Sequence, residues 1–396
     1  MLIAFFCAGL ATWALLFDVQ AVLPAIAEDF QVGAATAALA VSATTLGLAI
    51  AVLPWSAVSD RLGRAPAMQV SILATAVVSA VSVFAPDLGV FLVVRFVLGL
   101  CLAGLPAVSM AYLAEEIAPG FLPQTAGIFV AGNTIGGMVG RMTAGPLSEL
   151  VGWRVAVGVV SAIGIMAALL FVVLIPRSRA DADSRPRTDL RDFVAKVVVN
   201  LRDPRIRVLY ALGAIVLGTF TAVYNYLAFR LTDALHVPPA IASVLFLGLS
   251  MGTLGSIVAG RLALPWGRQR TVLIGLAVAG IGIGLLAIPA VVCAFLGLAV
   301  TTFGVFMVNA VVYGWVGQHA SIGKAQATAM FQLFTQTGNA LVGWGAGIVF
   351  GAFGWLVMMG SLIALLVIGA VVAFVGLPRT SRQMEVGRVL AGPRGQ

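Results

Sequence analysis

Three ionisable residues interrupt runs of sequence that are otherwise almost entirely apolar: Asp18, Arg95 and Arg141. An acid and two bases in such surroundings can carry a proton, form a buried ion pair or grip a charged solute. The helical neighbours of Asp18 are Ala14, Leu15, Ala21 and Val22, so with no cation nearby its carboxyl would be stripped of water, the setting a proton carrier needs. Paired with Arg95, it would tie two helices together instead. Both roles can coexist if Arg95 changes acceptors as the protein moves. Arg141 brings the balance to two cations for one anion, so a carboxylate-bearing substrate would find an unpaired charge there, unless Arg141 packs and snorkels.

Around these charges the apolar runs hold hydrogen-bonding side chains: Asn133, Tyr224, Asn225, Tyr226, Asn309, Tyr313, Gln332, Gln336 and Asn339. Gln332, Gln336 and Asn339 fall on one helical face, and such a stripe must meet protein or water, as helix-to-helix bonds or as substrate contacts. Candidate substrate-binding residues are Arg141, Asn133, Tyr224, Asn225, Asn309, Gln332 and Gln336, with Asp18 and Arg95 as the proton-coupling pair. His236 and His319 read as loop residues near opposite faces, and Cys7, Cys101 and Cys293 lie in apolar runs, so no metal site or disulfide framework is legible. A catalytic set is missing too, which argues against an enzyme. Without a phosphate-binding Gly-Lys motif, active transport would draw on an ion gradient, and no cofactor is expected.

These residues need a membrane scaffold to hold them. The 396 residues are 61% hydrophobic and 10% charged with a mean hydropathy of +1.08, against about a quarter charged in soluble domains. That composition excludes soluble enzymes, secreted disulfide scaffolds and nucleic-acid binders, despite a net charge of +8. Apolar runs fall near 2–27, 34–58, 67–85, 88–113, 124–150 and 154–176, then near 207–231, 239–263, 271–289, 291–317, 325–353 and 355–377. These twelve runs predict spans 1 to 12. Ala25-Ile26-Ala27 resembles a leader cleavage site, but no basic region precedes it and the run is too long, so it reads as part of span 1. With both termini in the cytoplasm, 19 of the 23 basic residues fall in cytoplasmic loops and tail, which the positive-inside rule requires. Counting about 1.5 Å per residue from the outer helix ends, Asp18, Arg95 and Arg141 lie at similar depth, roughly 10 to 14 Å in, and could form one cluster.

The expected architecture is an all-α membrane protein with 12 transmembrane helices in two pseudo-symmetric six-helix bundles. Residues 1–176 form the first bundle, 177–206 a cytoplasmic linker, 207–377 the second bundle and 378–396 a cytoplasmic tail. Within the linker, Leu190, Phe193, Val194, Val197, Val198 and Leu201 recur at helical spacing, predicting a short amphipathic helix on the cytoplasmic leaflet. Duplication shows in three ordered pairs: the turns ending at Arg64 and Arg268, Gly132-Asn133 and Gly338-Asn339, and Gly152-Trp153 and Gly354-Trp355. Gly132, Gly136 and Gly140 form a smooth strip on span 5 that lets another helix approach closely.

Ser56-Ala57-Val58-Ser59-Asp60-Arg61-Leu62-Gly63-Arg64 resembles the loop signature of the major facilitator superfamily, G-x-L-a-D-r-x-G-r-k, with Ser56 for the first Gly and Ala65 for the last Lys. In the second half Leu264 replaces the Asp, and Gly260, Gly267 and Arg268 survive. Arg95-Phe96-Val97-Leu98-Gly99 resembles that family's R-x-x-q-G, and the span 5 strip resembles its antiporter signature, with Gly137 for Pro and Arg141 for the last Gly. Those two departures leave room for a different substrate branch. The resemblance implies a latch of Asp60, Arg61, Gly63 and Arg64, with Asp60 facing the start of span 11 near Ala325. It also implies proton coupling through the span 4 arginine and a cavity lined by spans 1, 4, 7 and 10.

The expectation is therefore a monomeric secondary transporter in the cell membrane that exports a drug or metabolite against protons by alternating access. A proton-coupled importer of an organic anion, or a sugar exporter, is the alternative. Its partners would be a small-molecule substrate, protons and membrane lipids, with no nucleic acid.

Overall fold

The computed structural model describes residues 1–117, 121–176, 190–320 and 323–378. Among these residues all regular structure is helical. Ten stretches are long and apolar enough to cross a membrane. They include Leu2–Asp29 (span 1), Ala34–Leu62 (span 2), Arg64–Ser82 (span 3), Leu88–Leu113 (span 4), Trp153–Leu174 (span 6), Pro204–Thr232 (span 7) and Leu245–Trp266 (the main part of span 8). Arg268–Leu286 and Val291–His319 are spans 9 and 10. The tenth stretch is two helices, spans 11 and 12, which part at Gly354 with φ 81° and ψ −178°. Leu122–Val151, 30 residues long despite Arg141, is span 5. The twelve expected spans are all present as helices.

Several helices extend past their apolar runs at the face where Arg61, Arg64, Arg268 and Arg270 gather, here the basic face. Span 2 runs to Leu62 and span 3 starts at Arg64, because only Gly63 stands between them, at φ 92°. Its repeat, Gly267, turns spans 8 and 9 at φ 82°. A side chain there would be strained. Span 7 begins at Pro204 rather than 207, since Asp203 caps it by accepting from the N–H of Arg205 at 2.8 Å and Ile206 at 3.4 Å. Hydropathy marks the lipid layer, whereas caps and turns mark the helix ends.

Duplication is visible in the packing. A methyl group on Gly132 or Gly136 would strike the span 1 backbone at Phe6 or Leu10, and one on Gly140 would come within 2.7 Å of the Ala14 carbonyl. Gly338 of span 11 presses on Ala214 of span 7 in the same way. At the opposite face Trp153 donates to Asp29 at 3.1 Å, and its repeat Trp355 donates to the Leu286 carbonyl at 2.8 Å.

Four spans are not continuous α-helix. Span 1 breaks after Phe17 into a 3-10 turn, Gln20–Val22, before Leu23–Asp29. Span 4 is interrupted at Ala103, three residues before Pro106. Span 7 widens to a π turn over Arg230–Ala234, and span 8 is preceded by Pro239–Val244 and tightens to 3-10 over Leu245–Leu249. Such irregular turns release backbone groups from the regular ladder, which is tolerable in a membrane only inside the bundle.

The halves are joined along a seam. The Ser42 hydroxyl of span 2 donates to the Ala340 carbonyl of span 11 at 3.1 Å. Pro239–Val244 and Leu245–Leu249 pack on span 5, while Ser250–Trp266 packs on spans 9 and 10 of its own half. The linker helix, Leu190–Arg202, lies against spans 7 and 11, with Val197 and Leu201 packed on the core and Val198 exposed. Part of its apolar face is therefore spent on protein rather than on lipid. Residues 177–189 of the linker and 379–396 of the tail lie outside the described residues.

Candidate functional site

Everything at the centre follows from the break in span 1. Where a regular helix would bond the Leu16 carbonyl four residues on, the turn at Asp18 leaves it for Arg95, whose Nη2 donates to it at 3.1 Å. Arg95 Nη1 donates to Asp18 Oδ1 at 2.7 Å, and Nε reaches the Ala40 carbonyl of span 2 at 3.3 Å. The Val19 N–H donates to the same Asp18 oxygen at 2.8 Å. Both side chains are 0% exposed. Asp18 Oδ2 has no hydrogen-bond partner.

Two residues along, Gln20 links the second basic group to the other half of the protein. Arg141 Nε donates to Gln20 Oε1 at 2.6 Å, and Gln20 Nε2 donates to Asn225 Oδ1 of span 7 at 2.5 Å. Arg141 Nη1 is spent on the Gly137 carbonyl, 2.6 Å away in its own helix, and Nη2 is unpartnered. The guanidinium carbon stands 4.2 Å from the ring centre of Phe17, 5.5 Å from Tyr224 and 5.7 Å from Phe246. Arg141 is 1% exposed, so it does not snorkel. It has no acid within ion-pair distance among the described residues. Asp18, Arg95 and Arg141 thus share a neighbourhood as their depths suggested, but as a pair and a separate cation.

Of the other anticipated residues, Tyr224 shares a 2.9 Å hydrogen bond with Thr302, which holds its ring beside Arg141. Asn225 keeps Nδ2 unpartnered. On span 11, Asn339 accepts from Thr221 at 3.0 Å and donates to Gln336 at 2.6 Å, leaving Gln336 Nε2 without a partner. That stripe is partly a helix-to-helix bond, with one donor to spare. Tyr226 donates to the Gly343 carbonyl at 2.9 Å. Asn133 and Asn309 each bury an oxygen without a partner, Gln332 accepts from Thr335 through its backbone, and Tyr313 stands edge-on to Phe331. No hydrogen bond among the described residues ties Asn133, Asn309 or Gln332 to the Arg141 cluster.

Gln20, Phe17 and Phe246 escaped the sequence reading. Gln20 is a lone amide in an apolar run two residues from the most conspicuous charge, a spacing that puts it on a different helical face from Asp18. The rings looked like any other packing residues.

Toward the opposite face, a small cavity of about 30 Å³, room for about one water, is bounded by Ala21, Val22, Pro24, Ala25, Ser148, Ala228, Thr232, Ala242 and Phe246. At the basic face Arg64 bonds Asp60 at 2.8 Å, Glu115 at 3.3 Å and the Ser59 hydroxyl at 2.6 Å, while Arg61 is exposed. The Ala325 side chain, toward which Asp60 was expected to point, lies outside the described residues. In the second half Leu264 is 67% exposed where the first has Asp60. There Arg268 donates to Gln318 at 2.5 Å and stands 5.6 Å from the Trp315 ring. His319 ends span 10 and meets Asp203 at 3.1 Å. No group of residues able to hold a metal ion occurs among the described residues.

The sequence profile of the Major Facilitator Superfamily matches residues 1–325. The uncharacterised MFS-type transporter YybF of Bacillus subtilis (strain 168) is 32% identical over 366 residues, 92% of this chain and 90% of that one. The inner membrane transport protein YnfM of Escherichia coli (strain K12) is 31% identical over 380 residues, 95% and 90% of the two chains. Among solved structures, a bacterial homologue of the human lysosomal transporter Spinster, inward-facing and unoccupied, superposes with a TM-score of 0.77 over 95% of this chain and 96% of its own, at 17% identity.

Proposed function

Because the chain belongs to the Major Facilitator Superfamily, and so is a multi-pass membrane transporter, we propose that it moves a small organic solute by alternating access coupled to protons. Asp18 takes and releases the proton, and Arg95 is the cation that its charge holds in place. The observation that carries this reading is the placement of the 2.7 Å Asp18–Arg95 pair at the break in span 1, two residues from the Gln20 bridge between the halves. Protonating Asp18 removes the anion that Arg95 is bonded to and leaves its charge to the Leu16 and Ala40 carbonyls in a place where water is scarce. A shift of span 1 at that break is felt directly at Asn225 across the seam.

The basic face is assigned to the cytoplasm, in the cell membrane, by its excess of arginine. The Arg141–Gln20–Asn225 link and the packing of Pro239–Leu249 on span 5 support a state closed toward the outside. Asp60 and Arg64 belong to the cytoplasmic latch that closes in the opposite state. One chain suffices, since both halves and the site between them are in it, and lipid and proton gradient complete the machine without a cofactor.

The test is purified protein in liposomes loaded with a pH-sensitive dye, challenged with a panel of organic acids, neutral amides and quaternary cations. The reading expects at least one solute class to move protons in wild-type vesicles and none to do so with Asp18→Asn. Solute entry without proton movement in wild type would sink the coupling.

A further inference from the structure

We propose that the solute is an organic carboxylate, its acid group held by Arg141 Nη2 with Asn225 Nδ2, and that it travels together with the proton instead of against it. This rests on the proton-coupled carrier reading above and names the substrate class of that site.

Arg141 is buried with no acid at ion-pair distance among the described residues, and one of its N–H groups is unpartnered. An uncompensated guanidinium away from water is costly, and a carboxylate from outside relieves it with charge-assisted hydrogen bonds. The second spare donor, Asn225 Nδ2, belongs to the opposite half and is tied to Arg141 through one glutamine. Each half thus supplies one free buried donor, and each can serve a carboxylate oxygen. The rings of Phe17, Tyr224 and Phe246 around the guanidinium offer an apolar wall for a ring or chain attached to the acid group. A cationic solute would meet Arg141 with like charge.

The direction of coupling follows from the substrate's sign. Asp18 faces Arg95 from span 4; Arg141 of span 5 is bonded to Gln20, two residues along the chain, with the Tyr224 ring of span 7 beside it. Span 2 contributes the Ala40 carbonyl to this neighbourhood. The charged side chains of the second, third and sixth spans, Asp60, Arg61, Arg64 and Arg154, lie at the helix ends, Arg154 paired with Asp29 at 3.1 Å. With Asp18 ionised the neighbourhood carries one net positive charge; with Asp18 protonated at Oδ2 it carries two. An anion therefore binds better after the proton, and by linkage the proton binds better after the anion. A cation would compete with the proton and produce exchange.

The experiment measures binding to the purified full chain in detergent for 4-hydroxybenzoate, cyclohexanecarboxylate and hexanoate, beside their neutral amides and phenyltrimethylammonium, at neutral and mildly acidic pH. Carboxylates, not amides or the quaternary cation, are expected to stabilise wild type, with affinity rising several-fold on acidification. Arg141→Gln should lose about tenfold or more of it. Arg141→Lys, which keeps the charge but not the fork, should lie between them and serves if the Gln variant folds poorly. Asp18→Asn should remove the pH dependence. The proposal is overturned if the quaternary cation or the amides bind instead, if none of the carboxylates binds, or if carboxylate affinity falls on acidification. Proton movement driven by the quaternary cation would overturn it while leaving the carrier reading intact; absence of proton movement with every solute would remove the reading beneath it.

Discussion

Arg95 reaches across from span 4 to donate a 2.7 Å hydrogen bond to Asp18, with both side chains wholly buried and the second carboxylate oxygen left without a partner. The pair is held at three points, since the same guanidinium also bonds the carbonyls of Leu16 and Ala40. Those extra acceptors give Arg95 somewhere to remain when the carboxylate loses its charge.

Breaking the pair from one side should therefore cost more than removing both partners. Arg95→Gln leaves a buried carboxylate uncompensated and is expected to destabilise the protein by about 3 to 5 kcal/mol. Asp18→Asn should cost less, because two backbone carbonyls still serve Arg95, and the double variant should recover part of the loss. Thermal unfolding of the four proteins in one detergent checks this; additive losses would mean that the two residues do not act on each other.

The glycine strip on span 5 supports a second expectation. Gly136→Ala would push a methyl into the Leu10 backbone of span 1, whereas Gly127→Ala in the same helix meets nothing within 4 Å. The first should cost about 1 to 3 kcal/mol, as overpacking typically does, and the second should be neutral or slightly favourable. Equal melting temperatures would show that the two helices separate freely.

Gln20 joins Arg141 to Asn225 across the seam. Gln20→Met removes both bonds at similar volume and should shift the protein toward the state open at the opposite face. In a background without Cys7, Cys101 and Cys293, a cysteine placed at Thr232 beside the small cavity is expected to react several-fold faster with an impermeant maleimide when Gln20 is replaced. Unchanged labelling would remove Gln20 from the gate.

At the basic face the Asp60–Arg64–Glu115 cluster is partly exposed, so its worth to stability is about 1 kcal/mol or less. Asp60→Asn should slow exchange without greatly weakening substrate binding, read as a lower counterflow rate at saturating solute. Full-speed exchange would mean that the cluster is only a solvated charge pair.

The sequence carried the twelve spans, because lipid demands long apolar runs, and it carried the duplication, because turns such as Gly63 and Gly267 recur where the backbone needs them. Asp18, Arg95 and Arg141 were conspicuous for the same reason: charge in a membrane is rare. Less legible was how they divide. That Arg95 takes the acid while Arg141 takes an amide depends on the break at Asp18, and no periodicity shows a helix ending inside an apolar run. Gln20 was hidden because its partners, Arg141 and Asn225, come from other spans and its spacing to Asp18 puts the two on different helical faces. The expected polar stripe on span 11 turned out to spend Asn339 on Thr221 of span 7 and to leave one Gln336 donor free, a division that only the packed neighbour decides.

Proton coupling through Asp18 is tested most directly by comparing two transport modes in one preparation of liposomes, for a solute chosen by the binding panel. Counterflow needs only alternating access, while accumulation driven by an imposed pH gradient needs the proton site as well. Asp18→Asn is expected to keep counterflow near the wild-type rate and to lose gradient-driven accumulation. Accumulation at the wild-type level in that variant would contradict the account.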